Sequence, residues 1–214
     1  MGRSPTGANR RVLRRRSQRK RILVACEGKK EVAYFKWLSK NIGGSISIKA
    51  VQNWPAPKHV LDLAIRERLA DCNAAKESGD PDDVYDEVWI VVDVDEYPHL
   101  DETLLTATKT GIDCALSGPC FEVWLILHHK ELHAALANSK AAKDLWTRLI
   151  GHPAGQQEFT HIKGHLSDAI ARADALVVQY KKDGIERIRR NPYSEVGILA
   201  NAITKAANVD PRDL

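Results

Sequence analysis

Asp86-Glu87-Val88-Trp89-Ile90-Val91-Val92-Asp93-Val94-Asp95-Glu96 holds a run of five apolar residues that ends in two carboxylates one residue apart. A short β-branched run bounded by charge predicts a strand covered on both faces, as in a parallel sheet. Residues two apart on a strand share a face, so Asp93 and Asp95 present their carboxylates to one point if the strand runs through them. In open parallel sheets ligands sit beyond the carboxyl ends of the strands. An Asp-x-Asp there is placed to hold a hard divalent cation through oxygen. Acidic turn residues are also common after strands, so a second element has to support the metal reading.

Working outward, Arg21-Ile22-Leu23-Val24-Ala25-Cys26 predicts a first strand, closed by Glu27-Gly28-Lys29-Lys30-Glu31 as a turn and helix start. Val32, Phe35, Leu38 and Ile42 are spaced as a helix that Gly43-Gly44 stops. Ser45 to Val51 alternates as a strand with one wet face. Val60, Leu61, Ala64, Ile65 and Leu69 mark an amphipathic helix that ends before Ser78. A helix over 100–110 and a strand at 112–116 follow. This β-α-β-α-β-α-β order predicts an α/β fold with a mainly parallel central sheet flanked by helices. Beyond Ser117-Gly118-Pro119 the pattern is helical, over 120–129, 138–150, 166–180 and 195–207, with Ser194 as the expected N-cap of the last helix. Residues 151–165 are expected to form a mobile loop. The predicted organisation is a basic tail over 1–20, one α/β domain with a helical C-terminal region over 21–207, and a tail over 208–214.

The net charge of +4 is unevenly spread: residues 1–21 hold nine Lys/Arg and no acid, so the remainder carries −5. A block of like charge resists collapse and favours a polyanion, so Arg14, Arg15, Arg16, Arg19 and Lys20, with Lys30, are candidate nucleic-acid contacts. No apolar segment with a cleavage site follows the basic start, and no run approaches the roughly 20 apolar residues that cross a bilayer. Cys26, Cys72, Cys114 and Cys120 lack Cys-x-x-Cys spacing, which argues against zinc and suits a reducing cytoplasm. No Walker A loop is present, so an ATP-driven step requires a separate subunit.

Glu27 supplies the second element. It ends the first strand as Asp93 ends the central one, and adjacent strands would bring the acids together. Converging carboxylates need a cation or shared protons. Mg²⁺ accepts one or two protein carboxylates and polarises a phosphodiester.

Three stretches, Cys26-Glu27-Gly28-Lys29-Lys30-Glu31, Val91-Val92-Asp93-Val94-Asp95 and Ser117-Gly118-Pro119-Cys120-Phe121-Glu122-Val123-Trp124-Leu125, together resemble the RloB-like family. That family is associated with bacterial and archaeal defence loci, and its pattern is similar to the Toprim domain of topoisomerases, bacterial-type primases and OLD-type nucleases. The resemblance implies a Toprim-like fold in which Glu27, Asp93 and Asp95 bind Mg²⁺ or Mn²⁺, with Glu27 as ligand or proton shuttle. Glu122 would be a second-site ligand or a buried carboxylate with a structural partner. Lys29 and Lys30 would meet phosphate. Gly118 departs from the family, whose members more often carry Asn there. His128 and His129 are expected as caps or core, and His161 with His165 as unconnected to metal. The resulting expectation is a metal-dependent nuclease in antiphage defence, working on DNA or RNA with a partner ATPase of the AAA or ABC type. The alternatives are a non-catalytic binding module of a defence complex and a Toprim-type nucleotidyl transferase.

Overall fold

The computed structural model describes residues 19–43, 46–52, 56–80, 83–94, 97–151 and 155–214. Residues 1–18, most of the expected basic tail, lie outside them, as do Asp95 and Glu96. The chain runs β1 (Arg21–Cys26), α1 (Lys29–Asn41), β2 (Ser47–Gln52), α2 (Pro57–Ser78), β3 (Glu87–Asp93), α3 (Leu100–Lys109) and β4 (Asp113–Gly118). It continues through α4 (Glu122–Leu127), α5 (Ser139–Ile150), α6 (Leu166–Lys182), β5 (Tyr193–Ser194) and α7 (Val196–Ala207). The sheet order is β2-β1-β3-β4-β5, with the first four strands parallel and β5 antiparallel. The expected mixed α/β architecture with a helical C-terminal part is therefore observed.

The two faces follow from strand parity. Ile22, Val24 and Cys26 with Trp89, Val91 and Ala115 pack against α1 and the helices α4 to α7. Leu23 and Ala25 with Val88, Ile90, Val92 and Leu116 pack mainly against α2 and α3. A run apolar at every position is what two covered faces demand, and β3 sits between β1 and β4 for that reason. β2, at the edge, is only half-buried, in keeping with its alternating sequence.

Three expectations need correction. Residues 155–162 form a 3-10 helix rather than a loop, because Phe159 and Ile162, one 3-10 turn apart, are fully buried. Phe159 meets Tyr34 and Trp37 of α1 at ring-centroid distances of 5.8 and 6.2 Å. Ser194 lies in β5, not at the cap of α7; its Oγ is 3.1 Å from Ser117 Oγ and accepts from the Val196 amide at 3.3 Å. A two-residue strand is too short to show alternation in sequence. The final residues turn back onto the body: Leu214 is buried, and its carbonyl accepts from the Gly164 amide at 2.7 Å.

Gly118 closes β4 against the segment that leads into β5. A Cβ at this position would lie 2.3 Å from the Arg190 carbonyl oxygen, a main-chain atom that cannot rotate away. The missing side chain is thus a packing requirement of this chain. Gly118→Ala is expected to lower stability by about 1–3 kcal/mol through overpacking, read as a fall in the urea midpoint. An unchanged midpoint would show that the two segments separate freely.

Candidate functional site

The parallel register carries β1, β3 and β4 to a common carboxyl edge. Cys26 pairs with Val91, and Asp93 with Ser117. The Glu27 amide still donates to the Val91 carbonyl at 3.2 Å. In a regular ladder the Glu27 carbonyl would next accept from the Asp93 amide. Here the Glu27 side chain takes that place, its Oε2 lying 3.4 Å from the Asp93 nitrogen. The Glu27 carbonyl instead faces Gln52 Nε2 of β2 at 3.4 Å. Glu27 is buried and its Oε1 accepts from the Tyr97 hydroxyl at 2.7 Å. The Glu27 carboxylate is thereby held between the Tyr97 hydroxyl and the main chain of Asp93.

Two further acids crowd this edge. Glu122, in the first turn of α4, is buried and takes Lys30 Nζ at 2.8 Å. Burial alone would raise its pKa, but the Lys30 charge and hydrogen bond outweigh burial and hold it below the usual carboxylate range. Glu31 occupies the first turn of α1 and folds back over Gly28; a Cβ there would lie 2.4 Å from Glu31 Oε2, so the bare glycine makes room for the carboxylate. Burial, and then the charges of Glu122 and Glu27, push its pKa up to about 7 against the hydrogen bond from its own amide. Glu31 and Tyr97 are the members that sequence reasoning missed. A Glu three residues into the helix after a Gly is the one signal for Glu31, and none identifies Tyr97.

The raised Glu31 pKa has a consequence for stability. The folded protein keeps this proton up to about pH 7, whereas the unfolded chain releases it near 4.5. The contribution of Glu31 to folding is therefore most favourable below about pH 4.5 and declines as the pH rises to about 7, by on the order of 3 kcal/mol in total. Glu31→Gln is expected to flatten this slope relative to wild type in urea titrations run with chelator at pH 4.5 to 8. Parallel slopes for the two proteins would refute a protonated Glu31.

The remaining candidates are placed as follows. Lys29 is exposed at the first position of α1, and Lys30 is committed to Glu122. Arg19 and Lys20 precede β1, at the opposite end of the sheet from Glu27, and Lys20 pairs with Glu87 at the start of β3. Arg14, Arg15 and Arg16 lie outside the described residues. His128 is fully buried with Nδ1 3.0 Å from the Trp124 carbonyl, and burial depresses its pKa to about 3, so it is a core histidine. The Cys26 and Cys120 thiols are raised well above their ordinary values, chiefly by burial, which removes them as thiolate nucleophiles.

Among the described residues no group of three or more His, Cys, Asp or Glu is placed to hold a metal ion. Asp95, the second half of the Asp-x-Asp, is not among them. Glu27 and Asp93 nevertheless suit Mg²⁺ or Mn²⁺ chemically: both carry hard oxygen donors and stand at the carboxyl ends of the neighbouring strands β1 and β3, and Mg²⁺ completes its shell with water and phosphate oxygens. Comparison with curated proteins and with solved structures finds no match. The family model for RloB-like proteins matches residues 22–203, most of the chain, which therefore belongs to the RloB-like protein family.

Proposed function

We propose that this protein is a divalent-metal-dependent nuclease of antiphage defence, cutting phosphodiester bonds of DNA or RNA and working with a partner ATPase. The observation that carries the reading is the Glu27 carboxylate held against the Asp93 main chain at the carboxyl edge of the sheet. The resemblance of Glu27, Asp93 and Asp95 to the Toprim acid set supports the choice of chemistry. When bound, Mg²⁺ or Mn²⁺ would supply positive charge to polarise the scissile phosphoryl group. Glu27 and Asp93 would hold the ion, with Asp95 as the third donor. Tyr97 orients the Glu27 carboxylate through its hydroxyl. Lys29, exposed at the start of α1, is available to a phosphate oxygen. Glu31, with its pKa pushed up to about 7 chiefly by burial, is the member of the acid group that takes up a proton first as the pH falls, which reduces the repulsion from Glu122 and Glu27.

The test is cleavage of single- and double-stranded DNA and RNA with Mg²⁺ or Mn²⁺, alone and with the candidate ATPase, beside Asp93→Ala and Glu27→Ala. Variants that cut as well as wild type would refute the site. A second reading, a binding module without turnover, is favoured by the Lys30–Glu122 pair, which occupies one acid of the expected set. That reading predicts no heat on Mn²⁺ titration while oligonucleotides still shift in a gel.

A further inference from the structure

A cleft of about 460 Å³ lies beside the acids, between the amino ends of α2 and α3. Tyr97 connects the two: its hydroxyl donates to Glu27 Oε1 at 2.7 Å, and the same residue lines the cleft. Tyr97 does not line the larger cleft, of about 680 Å³ between α6 and the segment after α4. A volume of 460 Å³ falls in the range of small-molecule sites.

The lining selects what enters. Pro57, Leu61, Pro98 and Leu100 make apolar walls beside Tyr97, suited to a flat ring. The charged rim is paired within itself. Lys58 Nζ meets Asp62 at 2.8 Å, and His99 Nδ1 lies 3.1 Å from Glu102. A rim whose lysine is already paired with Asp62 and which also carries the Glu102 carboxylate does not attract a free anion. It offers donors and acceptors to a neutral polar edge, and Thr103 and Thr106 add hydroxyl oxygens whose protons go to the His99 and Glu102 carbonyls. A body with flat apolar faces, a polar edge and no charge describes a nucleoside. Its phosphate would then extend past Tyr97 toward Glu27 and Asp93.

We propose that this cleft is a nucleoside subsite, holding one unpaired nucleotide next to the scissile phosphate and so selecting single-stranded or frayed nucleic acid. The proposal rests on the nuclease reading of the neighbouring acids. A base that enters such a cleft has to leave its stack and its pairing partner, which duplex resists at a cost of a few kcal/mol. Stacking on an aromatic wall is tolerant of sequence.

Thymidine 5′-monophosphate has no diester to cut, so its binding to the full chain is measured by calorimetry with Mn²⁺ present. Thr106→Trp, at an exposed cleft-lining position of α3, fills the cleft; Leu105→Trp, on the same helix but outside the lining, is the control. Thr106→Trp is expected to weaken the monophosphate at least about tenfold, with Leu105→Trp and wild type alike and Mn²⁺ binding unchanged in all three. Oligothymidylate should displace the monophosphate, and its duplex with oligoadenylate should not. Equal affinity in Thr106→Trp, displacement by duplex, or binding of inorganic phosphate as tight as the monophosphate would each overturn the subsite. Absence of Mn²⁺ binding in wild type would refute the nuclease reading, and is recorded in a separate titration.

Discussion

Replacing Asp93 by Asn is expected to abolish the stabilisation that Mn²⁺ confers on the wild-type protein. An ion that binds only the folded chain adds about 2.7 kcal/mol at a hundred times its dissociation constant. That gain appears as a rise in Tm, and it should vanish in Asp93→Asn and Glu27→Gln. The same substitutions should leave the metal-free protein close to wild type in stability, because both are isosteric and the Glu27 charge already bears unfavourably on its neighbour Glu31. Loss of metal response without loss of fold separates this result from simple damage. Cleavage should fall at least about a hundredfold, since electrostatic assistance to phosphoryl transfer is worth several kcal/mol. If Mn²⁺ still raises the Tm of both variants, the ion sits elsewhere.

Glu195→Ala should be the most destabilising single change outside the apolar core, at about 3–5 kcal/mol. The carboxylate is buried and collects four donors. Arg187 Nε reaches Oε1 at 2.7 Å, and the Leu116 amide reaches Oε2 at 3.1 Å. Arg187 Nη2 and the Tyr193 hydroxyl complete the set. Arg187 also donates to the Cys114 carbonyl at 2.7 Å, and Arg190 Nη1 to the Tyr193 oxygen at 2.8 Å. This network fastens β5 and the start of α7 to β4. Without Glu195, the Arg187 charge and the Leu116 amide lose their shared acceptor, and that unmet desolvation is the source of the cost. Glu67, in the exposed pair with Lys49, provides the comparison: Glu67→Ala should cost no more than about 1 kcal/mol. Urea midpoints at constant m value measure both. Equal losses would mean that the network contributes no more than a surface pair.

Much of the frame was legible in the order of residues. Val88 to Val92 of β3 are apolar at every position, and only a strand covered on both sides tolerates that pattern without exposing one face. Helices α2 and α6 follow from apolar spacing, and the start of α1 from the Gly28 turn. The partial exposure of β2 follows from its alternation. β5 and the 155–162 helix escaped notice because two residues, or one 3-10 turn, hold too few positions to display a period.

The site divides in the same way. Glu27 and Asp93 were identifiable from sequence because each ends an apolar strand, and a parallel sheet places all such ends on one edge. Which acids then stand free and which are matched depends on neighbours far apart in the chain. Lys30 meets Glu122 across 92 residues, and Tyr97 meets Glu27 across 70. Local spacing carries no information about such pairs, since a pKa or an ion pair depends on distance and burial in three dimensions. The sequence alone therefore determined four strands alternating with helices in a mainly parallel sheet, and the strand ends at which Glu27 and Asp93 stand. Only the tertiary structure decided that burial raises the Glu31 pKa, that Glu122 pairs with Lys30, and that a cleft opens beside Tyr97.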